Sequence, residues 1–247
     1  MQKGFREPGE KPRRFYKAVE VVEVPKAEGG GFAVQLDGRN LRGPRGGRVA
    51  LPTRALAAQV AEEWAGQGEH LEIAGMHATR LANTAIDSVP LAREATAQSM
   101  ADYASADLVC YFAEAPQGLV ERQMRGWSPV LERIEAEAGL SFVRAAGIVH
   151  RDQPQETLAG VKALALAQDD FGLTGLAFGT ALFGSVILAI ALQRGWLSGE
   201  QAFELSRIDE RWQEDQWGVD AEAAERTARL HGEAAMLERW FRGLGAP

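Results

Sequence analysis

The sequence predicts an α+β protein, with a small N-terminal β-rich domain followed by a larger all-helical C-terminal domain. Three observations carry this prediction. Residues 13–52 combine aromatic and β-branched residues with partial alternation and a hairpin signal. From Thr53 onward, apolar residues recur at helical spacing. The two patterns follow one another without interleaving, which segregates sheet from helices. The expected boundaries are a polar, disordered tail over residues 1–12, the β-rich domain with one helix over 13–75, and the helical domain over 76–247.

The elements follow in order. RRFYKAVEVVEV reads as a strand that ends at the triple glycine Gly29–Gly31. GFAVQLDGRNLRG is a hairpin, because Asp37-Gly38 accepts the positive φ angles of a type I′ turn. RVALP is a further strand, closed by Pro52. TRALAAQVAEEWAGQ places Leu56, Val60 and Trp64 one turn apart behind Thr53, a natural N-cap. TRLANTAIDSV, LAREATAQSMADYA, VERQMRGWSPVLERIEAEAG and TLAGVKALALAQDD are four more helices. Residues 197–217 and 220–243 are the last two, with Asp220 able to cap the final one.

The stretch Leu173–Leu192 carries no charged residue and is about as long as a bilayer crossing. Asp169 and Asp170 abut its start, however, and Gln193-Arg194 close it without the basic or aromatic belts of a membrane span. It is therefore expected to be the central helix of the helical domain. Ala177, Ala181, Gly184, Leu188 and Ala191 would form a mostly small stripe, and Phe178, Leu182, Val186 and Ile190 a bulky one. Gly175, Gly179 and Gly184 are the expected places of close packing or of a break.

Composition narrows the function. Hydrophobic residues make up 46% and charged residues 25% of the 247, as in an ordinary soluble globular protein. The net charge of −7 is uneven: residues 1–50 hold 11 Lys+Arg against 6 Asp+Glu, the remainder 16 against 28. So acidic a remainder argues against nucleic acid, whose phosphates need a basic surface. The single cysteine, Cys110, excludes an internal disulfide and fits a reducing compartment. The N-terminus has no apolar core of a secretory signal and is a poor transit peptide. The high Ala and Gly content suits a GC-rich bacterium.

Catalytic motifs are scarce. Cys110 sits among apolar neighbours, with Asp107 the nearest charge, as a buried structural cysteine does. His70, His77, His150 and His231 form no metal-ligand spacing, and no phosphate-binding loop, dinucleotide fingerprint or nucleophile elbow is present. Neither a metal nor a cofactor is expected. The acidic pairs Glu62-Glu63, Asp169-Asp170, Asp209-Glu210 and Glu214-Asp215 could do acid–base work if buried, although solvated helix faces explain most such pairs. IDERWQEDQWG stands out. On a helix, Ile208 and Trp212 point inward beside a polar stripe of Asp209, Gln213 and Gln216, and Trp217-Gly218 ends the helix with a natural C′ glycine. The stripe reads equally as a protein-binding surface and as an ordinary amphipathic helix.

From Arg14 to about Arg229 the chain resembles the assembly chaperones of the F-type ATP synthase, those that hold the alpha subunit of the catalytic sector before it meets beta. The resemblance lies in the order and spacing of RRFYK, LPTRALAAQVAEEWAGQ, MHATRLANTAID, DLVCYFAEAPQGLVERQMRGWSP and SRIDERWQEDQWG. Two departures accompany it. His77 stands where the family has a proline after Met76, which would loosen that turn. Ala177, Leu182 and Gly184 stand in an apolar segment where the family has polar residues. The resemblance, to an alphaproteobacterial member in particular, implies a chaperone without enzymatic activity that binds the unassembled alpha subunit, prevents its aggregation and hands it to beta. It implies work in a bacterial cytoplasm, or in the mitochondrial matrix of a eukaryote. The family's important acid falls on Asp209 by its spacing to Gln213, with Glu210 beside it. The implied protein-binding residues are Asp209, Glu210, Gln213, Trp217 and Gly218, and replacing both acids by lysine should weaken binding and spare the fold. Two other readings stand beside this one: a membrane-attached factor anchored by residues 173–192, and a carboxylate-based enzyme.

Overall fold

A computed structural model describes residues 11–147, 149–218 and 221–245. The architecture is α+β, with a small antiparallel sheet followed by a helical region. The chain divides into two compact units, the first ending at Asn83 and the second beginning at Thr84.

The first unit is built on four strands: β1 (Val19–Glu23), β2 (Phe32–Leu36), β3 (Arg39–Asn40) and β4 (Ala50–Leu51). β2 is central and pairs antiparallel with all three others. Its register with β3, Leu36 opposite Arg39, leaves a two-residue loop in which Asp37 and Gly38 have φ of 48° and 75°. That is the type I′ geometry expected of Asp-Gly. The Asp37 carboxylate also accepts the N–H groups of Lys17 and Ala18, which hold its pKa below the usual carboxylate range. Gly31, at φ +86°, needs to be glycine: a methyl group there would stand 2.5 Å from the Leu51 carbonyl oxygen.

Helix α1 (Arg54–Ala65) covers the sheet with Leu56, Val60 and Trp64, all buried. Thr53 caps it by accepting the Leu56 N–H at 3.1 Å. At the other end, the Arg14 guanidinium donates to the carbonyls of Ala65 and Gln67, so the RRFYK segment closes the helix. Glu63 caps the next helix, α2 (His77–Asp87), accepting from the N–H groups of Ala78 and Thr79 at 2.7 and 2.8 Å. His77 is the first residue of α2.

The second unit contains α3 (Val89–Ala104), α4 (Gln117–Ala138), α5 (Gln155–Leu166), α6 (Asp170–Phe183), α7 (Val186–Gln193), α8 (Gly199–Ser206), α9 (Ile208–Trp217) and α10 (Ala221–Leu244). It also holds a short parallel pair, β5 (Tyr111–Phe112) with β6 (Ala145–Ala146), which residue patterning does not reveal in a region of helical periodicity. Asp220, expected to cap α10, lies outside the described residues, as do residues 1–10 of the tail.

Two expected helices are each two. The apolar run bends at Gly184, which takes the left-handed conformation at φ 63°, and splits into α6 and α7. Asp107 fixes the bend: its buried carboxylate accepts from the Ser185 hydroxyl at 2.6 Å and from the N–H groups of Val186 and Ile187 at 2.7 and 3.2 Å. The break shifts the helical phase, so the two continuous stripes do not form. Ala181 is exposed and Ala177 half-exposed, whereas every residue from Val186 to Leu192 is buried. The close approaches occur at Gly175, against Phe241, and at Gly179, against Leu237 and Ala189. At 14 and 8 residues, neither helix matches the ~20 a bilayer crossing needs. Among the described residues no helix is long and apolar enough to cross a membrane, which removes the anchor proposed for 173–192. The segment 197–217 likewise breaks at Arg207, whose φ of −122° separates α8 from α9.

Candidate functional site

Helix α9 carries four of the five residues expected to bind a partner and ends at the fifth, Gly218, so its placement decides what each can do. Helix α8 before it is well anchored. Ser198 and Gln201 form a capping box, and Gly199 lies so close to the Ala234 carbonyl of α10 that no side chain fits there. α9 differs in having no fully buried residue.

One face of α9 rests on α4. Ile208 and Trp212 point that way as expected: a methyl group at Gly126 would come within 2.9 Å of Ile208, and one at Gly118 within 2.7 Å of the Trp212 ring. The guanidinium of Arg122 lies 4.8 Å from the Trp212 ring centroid and pairs with Asp215 at 2.6 Å. Asp209 belongs to this face as well. Its carboxylate accepts from the Gln123 amide at 2.6 Å, while the Gln123 carbonyl oxygen accepts the Ala113 N–H at 2.7 Å. Gln123 is only 1% exposed, so Asp209 is the half-buried end of a polar clip that joins the residue after β5, through α4, to α9.

The opposite face is open. Glu210, Gln213, Trp217 and Gly218 line a groove of about 870 Å³ between α9 and the first turns of α10. Trp217 is 80% exposed. Gly218 ends the helix at φ 85°, its N–H donating to the Glu214 carbonyl at 2.8 Å, the C-terminal role expected of it. Arg207 and Glu214 pair across the helix at 2.8 Å. The structure thus brings four of the five residues together and sets Asp209 on the other face. Gln123 was not singled out by sequence reasoning, although a signal existed: it stands one turn from Trp127 on the stripe that continues through Val130 and Ile134, where a polar residue needs a buried partner.

Three residues of the other acidic pairs have structural roles. Glu63 caps α2, Asp169 caps α6 through the Gly172 N–H at 2.6 Å, and Asp170 pairs with Arg93. Burial raises the Asp107 pKa to about 6 against the pull of its four donors, and its oxygens are spent on α7 and on its own turn. Cys110 is fully buried, and burial raises its thiol pKa further. Among the described residues no cluster of His, Cys, Asp and Glu is arranged to hold a metal ion.

Comparison with known proteins fits a chain built this way. The sequence model described as "ATP12 chaperone protein" matches residues 13–135. Crystal structures of Atp12 from Paracoccus denitrificans, native and with lysine in place of one aspartate, superpose with a TM-score of 0.85 at 36% identity, covering 94% of this chain and 97% of theirs.

The chain belongs to the ATP12 chaperone family.

The Atu1473 protein of Agrobacterium tumefaciens is also similar, at 38% identity and a TM-score of 0.87 over 94% of this chain and 86% of that one. The mitochondrial protein atp12 of Schizosaccharomyces pombe is 27% identical over 225 residues, 86% of this chain and 76% of the yeast protein. Membership in the ATP12 family rests on both units, since the aligned structures span nearly the whole chain.

Proposed function

We propose that this ATP12-family chain is an assembly chaperone of the F-type ATP synthase that binds the unassembled alpha subunit, keeps it from aggregating and yields it to beta. Similarity to Paracoccus denitrificans Atp12 over almost the full length of both chains carries this reading. The physical task is well defined. A subunit of an obligate complex exposes, before assembly, a large apolar interface that drives misassociation. A chaperone must cover that area and then exchange it for the proper partner, so beta docking displaces the chain by competition, with no catalytic step and no cofactor. The work takes place wherever the synthase is assembled, in a bacterial cytoplasm or a mitochondrial matrix.

The contact surface we assign is the open face of α9, with Glu210, Gln213, Trp217 and Gly218. Asp209 contributes by holding α9 on α4 through Gln123. This changes what the lysine substitutions should do: Asp209→Lys loosens α9, whereas Glu210→Lys alters only the open face. The function is tested by co-expressing the chain with the alpha subunit of the same organism. Soluble alpha that co-purifies with the chain supports the proposal. Alpha that stays insoluble and is absent from the purified chain refutes it.

A further inference from the structure

We infer that the α9–α10 groove receives an arginine side chain of the bound partner, stacked on the indole of Trp217, an assignment that rests on the chaperone reading above. The argument starts from the six tryptophans of the sequence. Trp64, Trp127 and Trp240 are buried in the two cores. Trp196 and Trp212 are half-exposed, and each carries arginine over its ring: Arg133 and Arg194 lie 4.8 and 5.3 Å from the Trp196 centroid, and Arg122 lies 4.8 Å from that of Trp212. Trp217 is the most exposed, at 80%, and among the described residues no cation lies over it.

Its surroundings suit a cation. Glu210 and Glu222 line the same groove with no charged partner among the described residues, while Glu214 is already paired with Arg207. The field behind them is negative, since residues 84–247 hold 14 Lys+Arg against 24 Asp+Glu. Arg226 and Arg229 also line the groove, on α10, but neither is stacked on the indole. A guanidinium fits better than an ammonium: it is planar, weakly hydrated, stacks on an aromatic face and can still give two hydrogen bonds to a carboxylate. The partner's contacting segment therefore carries arginine beside apolar residues.

The test measures alpha-subunit binding by the full chain and by Trp217→Phe, Trp217→Leu and Glu210→Gln. Trp217 is exposed and last in its helix, so these variants fold. Trp217→Leu should weaken binding about ten-fold, with Trp217→Phe intermediate, following the order of cation–π strength. Treating alpha with phenylglyoxal, which caps guanidinium groups, should abolish the difference between native chain and Trp217→Leu, because both changes remove one interaction. Glu210→Gln should weaken binding more at low salt than at high. If Trp217→Leu binds as well as native, or keeps its deficit against capped alpha, the indole contacts something other than arginine and the inference fails while the chaperone reading stands. If the native chain does not bind alpha at all, both fail.

Discussion

Asp107 shows how much of this fold hangs on single polar residues. It is fully buried, its pKa is raised to about 6 by that burial, and its oxygens hold the start of α7. A carboxyl whose folded pKa lies above its unfolded value contributes stability that is complete below pH ~4 and is lost as pH rises through ~6. Asp107→Asn, which cannot titrate, should be less stable than native at every pH. Its deficit should shrink by about 2 kcal/mol between pH 4 and 6.5, as measured by urea unfolding. A constant deficit would mean that Asp107 stays ionised throughout. Thr53 is simpler. Thr53→Ala removes the cap on α1 and should cost about 1 kcal/mol in the same assay. The Thr53 cap was legible in the sequence because donor and acceptor lie three residues apart. The role of Asp107 was not, because the helix it caps begins 79 residues later.

Glycines and breaks decide the packing of the elements. The sequence pattern marked Gly175, Gly179 and Gly184 alike as places of close packing or of a break, and the structure makes the first two close approaches and the third the break. It missed the phase of the side chains, because periodicity counted across a bend assigns the second half of the run to the wrong face. A methyl group at 175 would stand 2.7 Å from the rigid Phe241 ring, so Gly175→Ala should destabilise the helical unit by about 1–3 kcal/mol. Gly199→Ala should cost more, since there the obstacle is the backbone of α10. A smaller cost in calorimetry would show that α8 can slide along α10. The seam between α4 and α9 behaves differently because its bonds are polar. Gln123→Ala strands the Asp209 carboxylate and the Ala113 N–H, which should cost about 1–3 kcal/mol. Amide hydrogen exchange should quicken in α9 before it does in α7, whose residues are buried. Equal quickening in both helices would contradict the view of α9 as a clipped-on element.

At the scale of the whole molecule, strands followed by helices were enough to give the α+β class, since each pattern is local and repeated many times. The short β5–β6 pair was not legible, because two residues per strand leave no period to read. The candidate surface was legible as a segment but not as a face. Spacing located IDERWQEDQWG, and only packing against α4 separates Asp209 from Glu210, Gln213 and Trp217. That separation underlies the central claim, that the chain holds the alpha subunit on the open side of α9 while the other side keeps the helix in place. The most direct measurement mixes purified chain with unassembled alpha subunit, isolates the product by size exclusion, and then adds beta. The account predicts a chain–alpha complex that native chain forms and Trp217→Leu forms weakly, and from which beta takes alpha and frees the chain. Absence of any complex, or a complex indifferent to both Trp217 and beta, would contradict it.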